Sequence, residues 1–343
     1  MRTRHAMKKL RLRRRILSLV FALTLMLSCL TACGRKTADA QPSASDKKLQ
    51  IVTTIFPEYD WVKQILGDQA DQAEVTMLLD NGVDLHSYQP TTEDMLKISN
   101  CDVFIYVGGE SDKWVDKALK QATNKDMKVI NLMEVMGDNT KEEEVVEGMQ
   151  AEEEEETEEE EGPEYDEHVW LSLKNAKLFC KTIADTLAQV DTDNADTYQA
   201  NAAAYEQKLT DLDEQYQEAV NNAAQKTLLF GDRFPFRYMV DDYGLKYYAA
   251  FVGCSAETEA SFATVTFLAG KVDELHLKYV MTIEKSNHKI ADAIIQNTKT
   301  KNQQILTLDS MQSTTSDDVA NGTTYLSVMQ NNLTVLEKAL QNA

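Results

Sequence analysis

The sequence predicts an α/β protein of two parallel-sheet lobes joined by one long backbone helix. Three observations predict it. Short β-branched runs alternate with helix-like segments along most of the chain, the pattern of βαβ units and a mostly parallel sheet. Residues 194–223 are rich in Ala, Gln, Glu and Leu and contain neither Gly nor Pro. At 1.5 Å per residue such a helix spans roughly 45 Å, enough to run along two lobes as a stiff strut. Finally, 343 residues are too many for one small domain, and the length alone suggests about two lobes.

The elements follow in order. Gln50-Ile-Val-Thr-Thr-Ile-Phe56 is β-branched and reads as a buried strand. Pro57 and a helical segment over 59–66 come next, then a strand at 74–79. Residues 92–99 form a helix with Thr92 as its N-cap. Strands at 102–107, closed by Gly108-Gly109, and at 128–132 complete the first lobe. Residues 142–167 break the pattern with sixteen carboxylates and no Lys or Arg, so self-repulsion predicts a disordered insertion. That run is either a loose lure for metal or a plain solvated loop. From 175 to 223 the chain is helical apart from a turn near 190–193. Strands are then expected at 227–230, 246–252, 279–283 and 304–308, and an amphipathic helix closes the chain over 324–340.

The ends are of a different kind. Residues 1–32 carry eight basic residues and no acidic one, followed by an apolar run over 16–30. This is the layout of a secretory signal, and the run is shorter than the roughly 20 residues of a membrane-spanning helix. It ends in Leu30-Thr31-Ala32-Cys33-Gly34, which resembles a bacterial lipobox and implies acylation of Cys33. The expected division is a leader at 1–32, a flexible tether at 33–48, a first lobe at 49–173 with the acidic insertion at 141–165, connecting helices at 174–225, and a second lobe at 226–343. The expected location is extracytoplasmic, lipid-anchored to a bacterial cell membrane.

Without the leader, 27 basic residues face 56 acidic ones, a net charge of about −29. Such a surface repels nucleic acid and suits a collector of cations, although a merely soluble acidic protein looks the same. Cys101, Cys180 and Cys254 show no CxxC spacing, and buried thiols are expected rather than a disulfide framework.

The chemistry rests on five histidines, of which His5 lies in the leader. His86 sits in Asp84-Leu-His-Ser-Tyr-Gln-Pro90 and His168 in Tyr165-Asp-Glu-His-Val-Trp-Leu171. Both occupy strand-to-helix turns with acidic neighbours, and open α/β sheets place ligands at the C-terminal ends of strands. Neutral imidazole is a favoured ligand for zinc and similar metals. His276 falls in a helical run over 272–277 and reads as structural. No cysteine lies near these turns in sequence, which disfavours copper(I).

At this point the sequence resembles the cluster A-I substrate-binding proteins of ABC importers, which carry zinc or manganese. The likeness runs from about residue 49 to 341. It rests on Ile51-Val-Thr-Thr-Ile-Phe-Pro57, Gly82-Val-Asp-Leu-His-Ser-Tyr-Gln-Pro90, Asp166-Glu-His-Val-Trp-Leu171 with Asn175-Ala-Lys177, Tyr238 with Tyr243-Gly-Leu245, and Leu308-Asp309 with Thr324-Tyr-Leu326. It implies two lobes joined by one helix, with a metal held between them by four protein groups. By motif, His86 and His168 take the first two positions and Asp309 the fourth.

The third position departs from the pattern. Counting back from Tyr243 places Arg233 where members carry His or Glu, and arginine has no lone pair to offer. Either Arg233 pairs with Asp309 or Glu284 beside the metal, or His288 supplies the missing ligand. The prolines that precede both histidines in the family are absent; Leu85 and Glu167 stand there. Asp84, Asp166 and Glu167 are placed to orient the imidazoles. The implied function is capture of a divalent transition metal, Zn2+ or alternatively Mn2+, by a monomer that delivers it to the membrane subunit of an ABC importer. Two other classes stay open: an extracytoplasmic metallohydrolase, for which no HExxH or GxSxG is present, and an adhesin or interaction protein whose cleft is vestigial.

Overall fold

The structure is a computed structural model that describes residues 48–150, 164–255 and 259–340. The leader, Cys33 and the centre of the acidic run lie outside the described residues. No described helix is long and apolar enough to cross a membrane.

Two parallel four-stranded sheets form the framework. The first holds β1 (Leu49–Thr53), β2 (Ala73–Met77), β3 (Val103–Tyr106) and β4 (Lys128–Asn131) in the order β2-β1-β3-β4. The second holds β5 (Thr227–Phe234), β6 (Lys246–Val252), β7 (Tyr279–Ile283) and β8 (Gln304–Leu308) in the order β6-β5-β7-β8. Both repeat one winding, which reverses direction at the first strand of each sheet. The crevice beyond the strand ends at such a reversal is where α/β sheets receive ligands. β3 is buried at every position, as its run Val-Phe-Ile-Tyr demands of a strand covered on both faces.

The long strut is Ala195–Asn222, preceded by the helix Leu173–Val190 and a short 3-10 turn at Thr192–Asn194. Tyr198, Ala202, Tyr205, Leu209, Leu212, Tyr216 and Val220 are its buried residues, spaced three or four apart along one stripe. Asn201 Nδ2 donates to Ile65 O at 2.9 Å in the first lobe. Tyr216 Oη donates to Met329 O at 2.6 Å in the closing helix Tyr325–Leu340. Trp61, fully buried, lies tilted against Phe179 at 5.7 Å and edge-on to Tyr325 at 5.1 Å, so three helices meet on one indole. Truncating so large a core residue typically costs about 3–5 kcal/mol.

Element positions differ from the sequence reading in small ways. Thr91, not Thr92, caps the helix Thr92–Asn100; its hydroxyl accepts from Asp94 N while Asp94 reaches back, a reciprocal capping box. His276 lies beyond the end of the helix Phe262–Glu274 with φ 53°, not inside a helix. The near flank of the acidic run is seated rather than solvated. Gln150 N donates to Ala250 O at 2.9 Å, Met149 is buried, and Glu143 N donates to Glu164 O at 2.9 Å.

Candidate metal centre

His86 stands in the 3-10 turn Leu85–Ser87 just past β2. Asp84 caps this turn by accepting from His86 N at 3.0 Å. No proline is needed to shape the turn, because the Asp84 side chain closes it. His168 begins a second 3-10 turn, Val169–Leu171, and is fully buried. Asp166 Oδ1 accepts from both His168 N (2.8 Å) and His168 Nδ1 (3.0 Å), locking backbone and ring together. Trp170 Nε1 donates to Ser310 O at 2.9 Å and Tyr325 Oη to Trp170 O at 2.7 Å, so residues of the second lobe hold this turn from behind.

The tautomers follow from these partners. His168 Nδ1 faces a carboxylate and carries the proton; its Nε2 presents a lone pair. His86 Nδ1 faces Ser111 Oγ at 2.7 Å and Glu167 Oε2 at 3.5 Å, acceptors for a proton on that nitrogen when Nε2 binds a metal. The two Nε2 atoms then point at one another, 3.2 Å apart. Gln312 Oε1, a third lone-pair donor, lies 3.4 Å from His168 Nε2. Nitrogens each about 2.0–2.1 Å from a tetrahedral zinc are separated by about 3.3–3.4 Å. The gap between the imidazoles is that of an edge of such a tetrahedron.

Electrostatics divides the pair. Burial, reinforced by the charge of His168, pushes the His86 imidazole well below its ordinary pKa, with Asp84 opposing. Burial also works against a charged His168, but the Asp166 carboxylate outweighs it and the net direction is up. The two rings are therefore shifted in opposite directions, and metal binding at either requires a neutral imidazole.

Cys254 completes the cluster. Its Sγ and the ligand atoms of His86 and His168 all lie within 4.8 Å of one another, the single such grouping of His, Cys, Asp or Glu among the described residues. Cys254 follows β6, and Gly253 admits it there. A Cβ on Gly253 would sit 2.9 Å from Phe234 O and 3.0 Å from the His168 ring. The sequence reading found no cysteine near the histidines because none is near in the chain. The sheet order brings this one across, and sulfur ligation is back among the options.

The other candidates are placed elsewhere. His288 starts the helix Lys289–Asn297 at φ 61° and does not join the cluster. Asp309 is not in the cluster either; its Oδ1 is taken by Met311 N at 2.7 Å, and its own N–H is held by Asn332 at 2.9 Å. Burial and the neighbouring Glu284 raise the Asp309 carboxyl to about 6. Glu284 does not pair with Arg233. It accepts from Ser310 N (2.7 Å) and Gln312 N (3.1 Å), organising the loop that presents Gln312.

Arg233 pairs instead with Asp84 of the first lobe, a short contact from Nη2 to Oδ2. Burial disfavours the charged Asp84, yet the guanidinium holds its carboxyl below the usual range. The lobes are also tied by Ser316 N donating to Asp80 O at 2.8 Å and by a β-bridge between Asn81 and Thr315. Beside the ion pair a cavity of about 320 Å³ opens between the lobes, lined by Asp84, Ser87, Arg233, Ser255, Lys285 and Asn287 among others.

Two parallel-sheet lobes that close on convergent imidazoles define a bilobed metal-binding receptor. The chain belongs to the ZnuA family, described as zinc-uptake complex component A, periplasmic, whose model matches residues 51–339. Members of this family are metal-binding substrate-binding proteins of transport systems, not enzymes. The chain is 32% identical over 318 residues to the zinc-binding lipoprotein AdcA of Streptococcus pneumoniae, covering 92% of this chain and 60% of that protein. It is 29% identical over 323 residues to the high-affinity zinc uptake system protein ZnuA of Bacillus subtilis, covering 94% and 97%. The Zn(II)-bound ZnuA-like domain of Streptococcus pneumoniae AdcA superposes with a TM-score of 0.67 at 31% identity, over 86% of this chain and 100% of that domain. The chain spans about three fifths of the AdcA relatives' length.

Proposed function

We propose that this chain captures Zn(II) between its lobes and delivers it to the membrane subunit of an ABC importer, held at the outer face of a bacterial membrane through an acylated Cys33. His86 and His168 are the primary ligands. The observation that carries the reading is the 3.2 Å approach of their Nε2 atoms, with a polar partner on each Nδ1. A cation between the two Nε2 atoms would take a lone pair from each, as neutral imidazole ligands supply. The zinc that the relatives bind and take up supports zinc over manganese.

In this reading the protein's contribution is orientation and closure. Asp166 and Ser111 fix the rings, and Arg233 and Asp84 latch the lobes. Calorimetric titration of the chelator-stripped mature chain tests it. One tight zinc site per chain is expected. An absence of zinc binding would overturn the reading and leave a cleft with no cargo.

A further inference from the structure

We infer that Cys254 is the thiolate ligand of the captured ion, with Gln312 Oε1 closing an N2SO shell that takes zinc and similarly soft divalent ions and discriminates against manganese. The inference rests on the reading of His86 and His168 as the zinc site and goes beyond it.

Two imidazoles leave a tetrahedral ion two ligands short. Arg233 cannot supply one, since its guanidinium is all donors and is turned onto Asp84. His288 and Asp309 do not reach the imidazoles, and Asp309 is engaged by the backbone of its own loop. Cys254 Sγ does reach them. With zinc bonds of about 2.3 Å to sulfur and 2.0–2.1 Å to nitrogen, the tetrahedral S–N edge is about 3.6 Å. The sulfur therefore needs a shift on the order of an ångström, within the sweep of one side-chain torsion.

The backbone beneath it is already fixed. Cys254 N donates to Glu143 Oε1 at 3.1 Å, and Gly253 lets the end of β6 lie against the His168 ring. Gln312 Nε2 donates to Ser310 Oγ at 3.0 Å, which turns its oxygen toward His168. On binding, the thiol loses its proton to solvent and the sulfur lone pair forms the bond to the metal. Thiolate favours zinc over manganese, whose natural donors are carboxylate, carbonyl and water oxygens.

The test uses the full mature chain loaded with cobalt(II) in place of zinc. A thiolate-to-cobalt charge-transfer band in the near ultraviolet should accompany the visible bands of a tetrahedral ion at one cobalt per chain. Cys254→Ser should abolish the near-ultraviolet band, keep visible bands, and weaken zinc binding at least tenfold. The wild-type spectrum decides even if that variant folds poorly. Cobalt bound without a charge-transfer band would reject the thiolate and leave the histidine site standing. A wild-type chain that binds neither cobalt nor zinc would bring down the zinc reading together with this inference.

Discussion

Replacing Asp84 by Asn removes one charge from the cleft and leaves its backbone in place. Asp84 acts twice: Oδ1 accepts from His86 N at 3.0 Å and caps the turn, while Oδ2 meets the Arg233 guanidinium from the other lobe. Asparagine caps about as well as aspartate, so the turn survives. The ion pair does not. At His86 the attraction of Asp84 for positive charge outranks the repulsion from Arg233, and in the variant only the repulsion remains. His168 feels the same repulsion. Both partners are largely shielded from water, at 17% and 23% exposure. A hydrogen bond to a charged group is worth about 1.5–3 kcal/mol. At 1.4 kcal/mol per tenfold, Asp84→Asn should weaken zinc binding by about ten- to a hundredfold. Calorimetry against a competing chelator, at two ionic strengths, measures it. Adding Arg233→Gln to Asp84→Asn removes the stranded cation and should restore part of the loss. Wild-type affinity in Asp84→Asn, or a double variant no tighter than the single one, would refute the reasoning.

Further tests address the remaining residues. His86→Ala and His168→Ala should each lower zinc affinity at least tenfold in the same competition assay, and an unchanged value would remove that residue from the site. His288→Ala should bind zinc as the wild type does; a tenfold loss would return it to the ligand set. Glu58, fully buried, has its carboxyl pushed from about 4.5 up to about 8 by burial and by Asp112. The folded chain then holds a proton that the unfolded chain releases, so the contribution of Glu58 to stability is fully present below about pH 4.5 and is lost as pH rises toward 8. Glu58→Gln should flatten that slope in urea melts and gain on the wild type at pH 8 by on the order of a few kcal/mol. Parallel slopes for the two proteins would show that Glu58 ionises freely.

The strands were legible because their signals are local. The runs at 246–252, 279–283 and 304–308 match β6, β7 and β8 residue for residue. The two histidine turns were legible because a short acidic side chain two residues upstream is itself the device that closes each turn. Cys254 was not, because its approach to His168 depends on β6 lying at the edge of one sheet, over eighty residues away in the chain. The signal was present in Val252-Gly253-Cys254, a soft donor after a glycine at the C-terminal end of a parallel strand. The strand-end rule had been applied to histidines only. Asp309 is expected at the fourth position by motif, whereas the bond from Met311 N to Asp309 Oδ1 is the turn an aspartate makes with its own backbone. Arg233 was expected to pair with Asp309 or Glu284, but its partner is Asp84 of the opposite lobe, which local spacing does not reveal.

The spanning helix limits how far this receptor can open. Asn201 fastens it to the first lobe, and Tyr216 fastens it to the closing helix through Met329. A wide, jaw-like swing would have to bend 28 residues of unbroken helix or tear out one of those clamps. Such a frame favours opening in the loops at the rim over a swing of whole sheets.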